Sequence, residues 1–515
     1  MTKFFHKASK DVQSPDNMQN IIKEFNLPLG FSEKVKVEIN KIPDYIDISE
    51  RKNRVELTNI IAVTIDGEDA KDFDDAVSIE QLQNGNFKLG VHIADVSYYV
   101  LPGTEVNNEA YRRATSVYLV DRVIPMLPEK LSNDLCSLIA GKDKLTITVF
   151  MEIDKKGEVL NYEILESVIC SKKRLTYTIV AEIIEKENPE AINENHSLVP
   201  SLRLMNNLAK ILYKKRIEDG SLDFDFPESK VVLDENNKPI KIIKTSRNQA
   251  YRMIEEFMLL ANEIIAKHLT KFNVPSLYRV HPAPDIKDLQ DFFTAIKPYG
   301  YKLKIGKEIH PKDLQYILKL AKGKPEEALI NTFMLRALKL AVYSPVNVGH
   351  FGLSKKFYTH FTSPIRRYPD LLVHRVLRYL IKGELDDTKI YKLRKFLKPA
   401  GKDCSEKERI AEDAEDKSVK SKKIEFMADK IEKIYPGVIT GVQAYGLFVE
   451  IEEFNVEGLI HVKNIKDDYY YFDQSKNILV GRRYKITYAM GDKIQIKVIK
   501  VDINKGYLDF VIVKI

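Results

Sequence analysis

The sequence predicts an α+β protein in which a large body of mixed β-sheet and helices is followed by a small all-β barrel. Three observations carry that prediction. Apolar runs with strand-like spacing, such as Lys88–Ile93 and Thr146–Phe150, alternate with turns between about residues 59 and 170. From about 175 to 430 the apolar positions recur at helical spacing instead, as in Met253, Phe257, Leu260 and Ile264. After a charged stretch the pattern returns to short strands and glycine turns, with Lys493–Val498 alternating polar and apolar as a strand with one wet face must.

The elements divide the 515 residues into four segments. Residues 1–58 form a polar lead-in with one short amphipathic piece, Met18–Phe25, too small for a domain of its own. Residues 59–400 make the α+β body, and 401–431 a charged helical connector, KDCSEKERIAEDAEDKSVKSKK being its centre. Residues 432–515, short strands and glycine turns, suit a small barrel of the OB type.

Composition narrows the class. A 44% hydrophobic and 30% charged chain with no low-complexity tract is globular. Cys136, Cys170 and Cys404 are too few and too scattered for a disulfide framework or a cysteine-rich zinc site, which suits a reducing, cytoplasmic setting. The N-terminus lacks the apolar stretch of a signal peptide, and no run approaches the ~18 apolar residues of a membrane span, so no membrane partner is expected. A net charge of +7 is small beside 81 basic and 74 acidic residues, so the placement of charge matters more than its sum.

Two segments concentrate that charge. TIDGEDAKDFDDAV, Thr64–Val77, gathers Asp66, Glu68, Asp69, Asp72, Asp74 and Asp75 between apolar, strand-like flanks. Like charges so close raise one another's pKa unless a cation sits among them. A solvated acidic loop or a structural calcium loop fits the spacing as well as a catalytic ion site does. The order of acids is not that of an EF-hand, and no His or Cys is interleaved for zinc, which leaves magnesium or manganese for a bound cation. The second segment, HFTSPIRRYPDLLVHRVLRYLIKG, sets Arg366, Arg367, Arg375, Arg378 and Lys382 against Asp370. Pro369 predicts a helix start, where free N–H groups favour an anion, so Arg366 and Arg367 are the stronger phosphate candidates. Arg375 to Lys382 predicts a cationic stripe whose plainer alternative is a solvated helix face.

In their order along the chain, TIDGEDAKDFDDAV, ATSVYLVDRVIPMLPEKLSNDLCSL, RMIEEFMLLAN, HFGLSKKFYTHFTSPIRRYPDLLVHR and CSEKERIAEDAE resemble the exoribonuclease II and ribonuclease R family, ribonuclease R being the nearer subgroup. The resemblance implies a processive 3′-to-5′ exoribonuclease that hydrolyses single-stranded RNA to nucleoside 5′-monophosphates. It implies that Asp66, Asp72, Asp74 and Asp75 hold magnesium, that Asp74 and Asp75 matter most to the rate, and that Arg366 meets the scissile phosphate. Glu68 and Asp69 become neighbours rather than ligands. RNA contacts are implied for Tyr118, Tyr177, Phe224, Glu255, Arg367 and Arg375. In the barrel, YPGVITGVQAYGLFVEIEEFNVEGLIHVKNI resembles a ribosomal-protein type of RNA-binding OB module, with Tyr445, Phe448 and His461 as its platform. Arg252 and Glu256, four apart on one helix, are expected to pair with each other, which leaves Glu255 as the site glutamate.

The lead-in departs from the family pattern, in which two cold-shock-type barrels usually precede the body; only NIIKEFNLPLGF, resembling the linker after them, is expected here. Single-stranded RNA is the expected partner and a monomer the expected state, with a ribosome or an RNA helicase as open candidates for protein partners. The rival functions are a catalytically inactive RNA-binding protein on a nuclease scaffold, and an endonuclease or DNA-directed phosphodiesterase.

Overall fold

The computed structural model describes residues 17–224, 228–245, 247–301, 309–324, 326–474, 476–503 and 505–513. Met1–Asp16 of the lead-in lie outside the described residues. The rest of the lead-in holds helix α1 (Asn17–Glu24) and two further short helices, Glu33–Asn40 and Ile48–Lys52. Met18, Ile21 and Ile22 of α1 are buried against Val117 and Leu119, and against Ala411 and Ala414 far along the chain.

The body is organised by a seven-stranded mixed sheet. Its strands are β1 (Val55–Glu56), β2 (Val63–Asp66), β3 (Asp75–Gln81), β4 (Phe87–Ala94), β5 (Asp143–Ile153), β6 (Val159–Cys170) and β7 (Lys173–Thr176), ordered β1-β6-β5-β4-β3-β2-β7. β1 and β7 pair in parallel with β6 and β2, and the remaining pairs are antiparallel. Strand alternation sends Leu89, Val91, Ile93, Ile147, Val149 and Met151 into one core with the helices of the following half. The other face meets Phe73, Met126, Leu131 and the start of a later helix.

Those helices include α2 (Tyr177–Ile184), α3 (Val199–Asp219) and α4 (Gln249–Lys271). Helix α4 extends the periodic stretch read from Met253 by one turn, because Asn248 caps it and accepts the Tyr251 N–H at 3.0 Å. Between α3 and α4 the expected helical run is broken by a hairpin, β8 (Glu228–Leu233) and β9 (Pro239–Thr245). Helices α5 (Glu327–Ala337) and α6 (Tyr368–Ile381) follow, α6 carrying Pro369 in its first turn as the sequence predicts. Helix α7 (Asp387–Phe426) runs for 40 residues, longer at both ends than the charged stretch that announces it. At 1.5 Å per residue it spans about 60 Å and joins the body to the barrel.

The C-terminal barrel is closed, with β10 (Ile434–Gln443), β11 (Gly446–Ile451), β12 (Val456–His461), β16 (Lys493–Asp502) and β17 (Tyr507–Ile512) in the order β10-β11-β12-β17-β16. A three-stranded sheet, β13 (Tyr470–Asp473), β14 (Ile478–Gly481) and β15 (Thr487–Tyr488), is inserted between β12 and β16. The barrel core also takes in Val231 and Ile242 from the β8–β9 hairpin and Ile424 and Met427 from the end of α7.

Candidate active site

The acidic phrase folds as the turn between two central strands. Asp66 ends β2 and Asp75 begins β3, so strand pairing fixes both carboxylates before the loop is considered. The loop is then tied down: Arg174 donates to the Gly67 carbonyl at 3.0 Å, and Ser137 Oγ accepts the Phe73 N–H at 3.0 Å while donating to Lys71 O at 2.7 Å. Glu68 and Asp69 turn aside, bonded to Thr178 and to Lys230 of the hairpin.

The remaining acids converge. Asp74 is 4% exposed, its Oδ1 accepting the Ile365 N–H at 2.8 Å. Asp72 Oδ2 accepts from the Tyr118 hydroxyl at 3.0 Å. Asp66 Oδ2 is buried with no hydrogen-bond donor. Burial raises the Asp66 carboxyl, helped by the charges of Asp75 and Asp72 and opposed by Arg174 and Arg366. Burial likewise raises Asp74, with Arg366 the chief opposing charge, and Asp75, against Arg366 and Arg367. Among the described residues no three His, Cys, Asp or Glu side chains are gathered into a ready ion-ligand set. A buried carboxylate oxygen with no donor, beside Asp74 and Asp75 whose ionisation burial also opposes, suits a hard divalent cation.

The arginine segment lies against this loop. Ser116 N donates to Arg366 O at 3.0 Å and Tyr368 N to Ala114 O at 2.9 Å, which stitches the residues before α6 to the short ribbon that carries Tyr118. Arg366 donates to Ser363 Oγ at 3.1 Å and offsets the charge of Asp66, Asp74 and Asp75. Arg367 pairs with fully buried Asp370 at 2.7 Å. Arg375 corrects the sequence reading: it is buried, donating to Val100 O at 2.6 Å and to the Tyr368 hydroxyl at 3.2 Å, and reaches no phosphate-facing surface. The rest of the expected stripe is also engaged, Arg378 with Glu166 at 2.6 Å and Lys382 with the same carboxylate at 3.5 Å. The expected stripe is thus split: Arg375 is buried, Arg378 is half-buried in an ion pair, and Lys382, just past the end of α6, is exposed.

The aromatic candidates separate into three places. Tyr118 is partly exposed beside Asp72, its N–H donated to Glu415 of α7 at 2.7 Å. Tyr177 opens α2 near Asp75 and Asp66 and stacks on Tyr251, ring centroids 3.7 Å apart at 17°. Phe224 and Glu255 line one small crevice with Tyr213, Arg247 and Arg252. The expected Arg252–Glu256 pair does not form: Glu256 is buried against Arg216 at 2.8 Å, and the Arg252 guanidinium lies over the Tyr213 ring. On the barrel, Tyr445 stands edge-on to Phe448 at 6.1 Å, and Gly446 pairs with His461 across β11 and β12. Phe448 points out of the barrel into a cleft of about 230 Å³ shared with Arg336 and Asn477.

Sequence reasoning missed Arg174, Tyr251, Glu415 and Lys230. Arg174 stands three residues before Tyr177, and Tyr251 directly precedes the phrase that yields Glu255, so proximity to recognised residues was the available signal. Glu415 closes the phrase CSEKERIAEDAE without being singled out in it, and nothing marked Lys230; the partners of both are distant along the chain.

Comparison with known proteins gives two family matches, the RNB domain over residues 54–383 and the S1 RNA binding domain over 428–512. The chain is 43% identical to ribonuclease R of Thermotoga maritima over 514 residues, covering 99% of this chain and 72% of the relative. It is 45% identical to ribonuclease R of Aquifex aeolicus over 494 residues, covering 96% and 70%. The solved structure of Mycoplasma genitalium RNase R in complex with ribose methylated single-stranded RNA superposes with a TM-score of 0.91 at 29% identity, over 96% of this chain and 78% of that one.

Proposed function

The chain belongs to the ribonuclease R family and is a 3′-to-5′ exoribonuclease, and from that premise we propose how its residues divide the work. Asp66, Asp72, Asp74 and Asp75 hold magnesium, or manganese in its place. The observation that carries this is the buried, donorless Asp66 oxygen beside Asp74 and Asp75, three carboxyls that burial holds above their ordinary range. When bound, such an ion supplies hydroxide from its water and offsets charge on the leaving oxygen.

The chain's own groups do the rest. Arg366, braced on Ser363, offers its N–H fork to the scissile phosphate, where negative charge grows in the transition state. The Ile365 N–H fixes the Asp74 carboxylate, and the Tyr118 hydroxyl fixes Asp72 while its ring takes a base of the 3′ end. Tyr177, backed by Tyr251, gives a second ring beside the aspartates. Stacking accepts any base, which suits digestion to nucleoside 5′-monophosphates without sequence preference, one nucleotide after another. Tyr445, Phe448 and His461 hold the strand upstream.

Single-stranded RNA as the substrate is supported by the Mycoplasma genitalium relative, solved with single-stranded and, separately, with double-stranded RNA. A cytoplasmic monomer suits three free cysteines, and among the described residues no helix is long and apolar enough to cross a membrane. The test is a time course on 5′-labelled single-stranded RNA, with and without magnesium, beside Asp74→Asn. Full-length RNA passing directly to a short 5′ core, only with magnesium and Asp74 present, is the expected result. Intact but bound RNA in every lane would leave an inactive RNA-binding protein, and a ladder of internal cuts an endonuclease.

A further inference from the structure

The three-stranded sheet inserted in the barrel has two unlike faces. Alternation turns Tyr470, Phe472, Leu479 and Tyr488 toward the barrel core. The opposite face belongs to Tyr469, Tyr471, Val480, Arg482 and Thr487: Tyr471 pairs with Val480, Val480 with Thr487, and Arg482 N donates to Tyr469 O at 2.9 Å. Tyr469 is 84% exposed, Tyr471 45% and the neighbouring Tyr484 55%. Two tyrosines two residues apart on one strand are spaced about 7 Å, room for one base against each ring.

Charge decides what such a face takes. From Lys463 to Thr487 six basic residues stand against three aspartates, Asp467, Asp468 and Asp473. All three aspartates are engaged within the insertion. Asp468 accepts the N–H groups of Tyr469, Arg483 and Tyr484 at 2.7 to 2.8 Å, Asp467 accepts from the Tyr470 hydroxyl at 3.2 Å, and Asp473 from Lys476 N at 3.3 Å. Arg482, Arg483 and Lys485 remain exposed to solvent, the Arg483 guanidinium 5.0 Å from the Tyr484 ring centroid. The Asp468 knot thus sets Tyr469, Arg483 and Tyr484 side by side. At the other end of the hairpin, Asn477 lines the cleft that holds Phe448.

We propose that this outer face, Tyr469, Tyr471 and Tyr484 with Arg482 and Arg483, is a second platform for single-stranded RNA, separate from Tyr445, Phe448 and His461. Aromatic rings and arginines in one exposed patch match a flexible polyanion with stackable bases, and the cationic balance disfavours an acid-lacking apolar partner. Tyr469 and Tyr484 lie at the opposite end of the hairpin from Asn477 and the Phe448 cleft, so only a long strand engages both platforms. This rests on RNA being the substrate.

The test uses the full chain with Asp74→Asn, so that RNA persists, and 5′-fluorescein oligouridylates of about 6 and about 30 nucleotides. Adding Tyr469→Ala and Tyr471→Ala is expected to weaken binding of the long oligomer roughly tenfold or more while leaving the short one within about twofold. Arg482→Ala with Arg483→Ala is expected to do the same and to lower the salt dependence of long-oligomer binding. Unchanged affinity for the long oligomer, or equal loss for both lengths, overturns the proposal, and the first of these assigns the face to a protein partner. Failure of the Asp74→Asn chain itself to bind either oligomer would instead overturn the RNA assignment of the whole protein.

Discussion

Two clusters of buried acid lie on the central sheet and have opposite electrostatics. In one, Asp95 is fully buried with Arg54 at 2.6 Å, and Glu50, Glu166 and Arg378 complete the network. Burial alone would raise the Asp95 carboxyl, but Arg54 and Arg378 hold it down to about 2. In the other, Asp74 is buried and Asp66 and Asp75 half-buried, yet burial prevails and all three are raised, with Arg366 only partly offsetting them. The same side chain is thus a closed structural pair in one place and an open carboxylate, short of counter-charge, in the other. What distinguishes them is whether the chain itself supplies the counter-charge.

That difference can be broken from the structural side. Arg54→Met leaves Asp95 buried without its main partner, and is expected to destabilise the fold by about 3 to 5 kcal/mol, read by urea denaturation, with activity lost only as the protein unfolds. Arg366→Ala acts on the open cluster and is expected to lower kcat on single-stranded RNA by about 10²- to 10³-fold, with the urea midpoint nearly unchanged.

The pH dependence sharpens the contrast. Groups raised in the folded state bind more protons there than in the unfolded chain, so the metal-free protein is expected to lose stability as pH climbs from about 4 through the raised values of Asp66, Asp74 and Asp75. Asp95 works in the other sense: its contribution is full above about 4 and is lost as pH falls toward 2. Melting temperatures in chelator from pH 4.5 to 8 are expected to fall, and Asp66→Asn to flatten that slope. Magnesium at neutral pH is expected to raise the melting temperature of the parent more than that of Asp66→Asn. An identical slope in both proteins would mean that the carboxylates are not the strained element. The smallest effect is expected from Tyr118→Phe, which loses one hydrogen bond to Asp72, worth about 0.5 to 1.5 kcal/mol, or at most about tenfold in kcat/KM. Tyr118→Ala is expected to change the length of the final product on a gel.

The open cluster was the legible one. Its acids fall within twelve residues of one another and its arginine in a single phrase, so local spacing carried the signal. The closed cluster was not, because Arg54, Asp95, Glu166 and Arg378 are scattered and meet only through the sheet. The same blindness explains Arg375, whose partner Val100 is 275 positions away. Helical periodicity marked α4 and α6 because it is local. The β8–β9 hairpin was invisible inside a helical stretch because what buries it is the barrel, nearly two hundred residues later. Tyr251 went unread because its stacking partner, Tyr177, lies on another helix.

That hairpin bears on how such a protein can be rebuilt by recombination. Val231 and Ile242 complete the barrel core, Lys422 of α7 donates to the carbonyl of Asn237 in its turn at 2.6 Å, and Lys230 reaches back to Asp69 beside the carboxylates. The boundary near Glu432 is therefore a seam in the sequence and not in space. A chimera that exchanged everything after that point for a foreign barrel would strip the hairpin of its apolar cover and leave it attached to the catalytic loop. The barrel is inherited together with residues 228–245, and a viable swap must carry both.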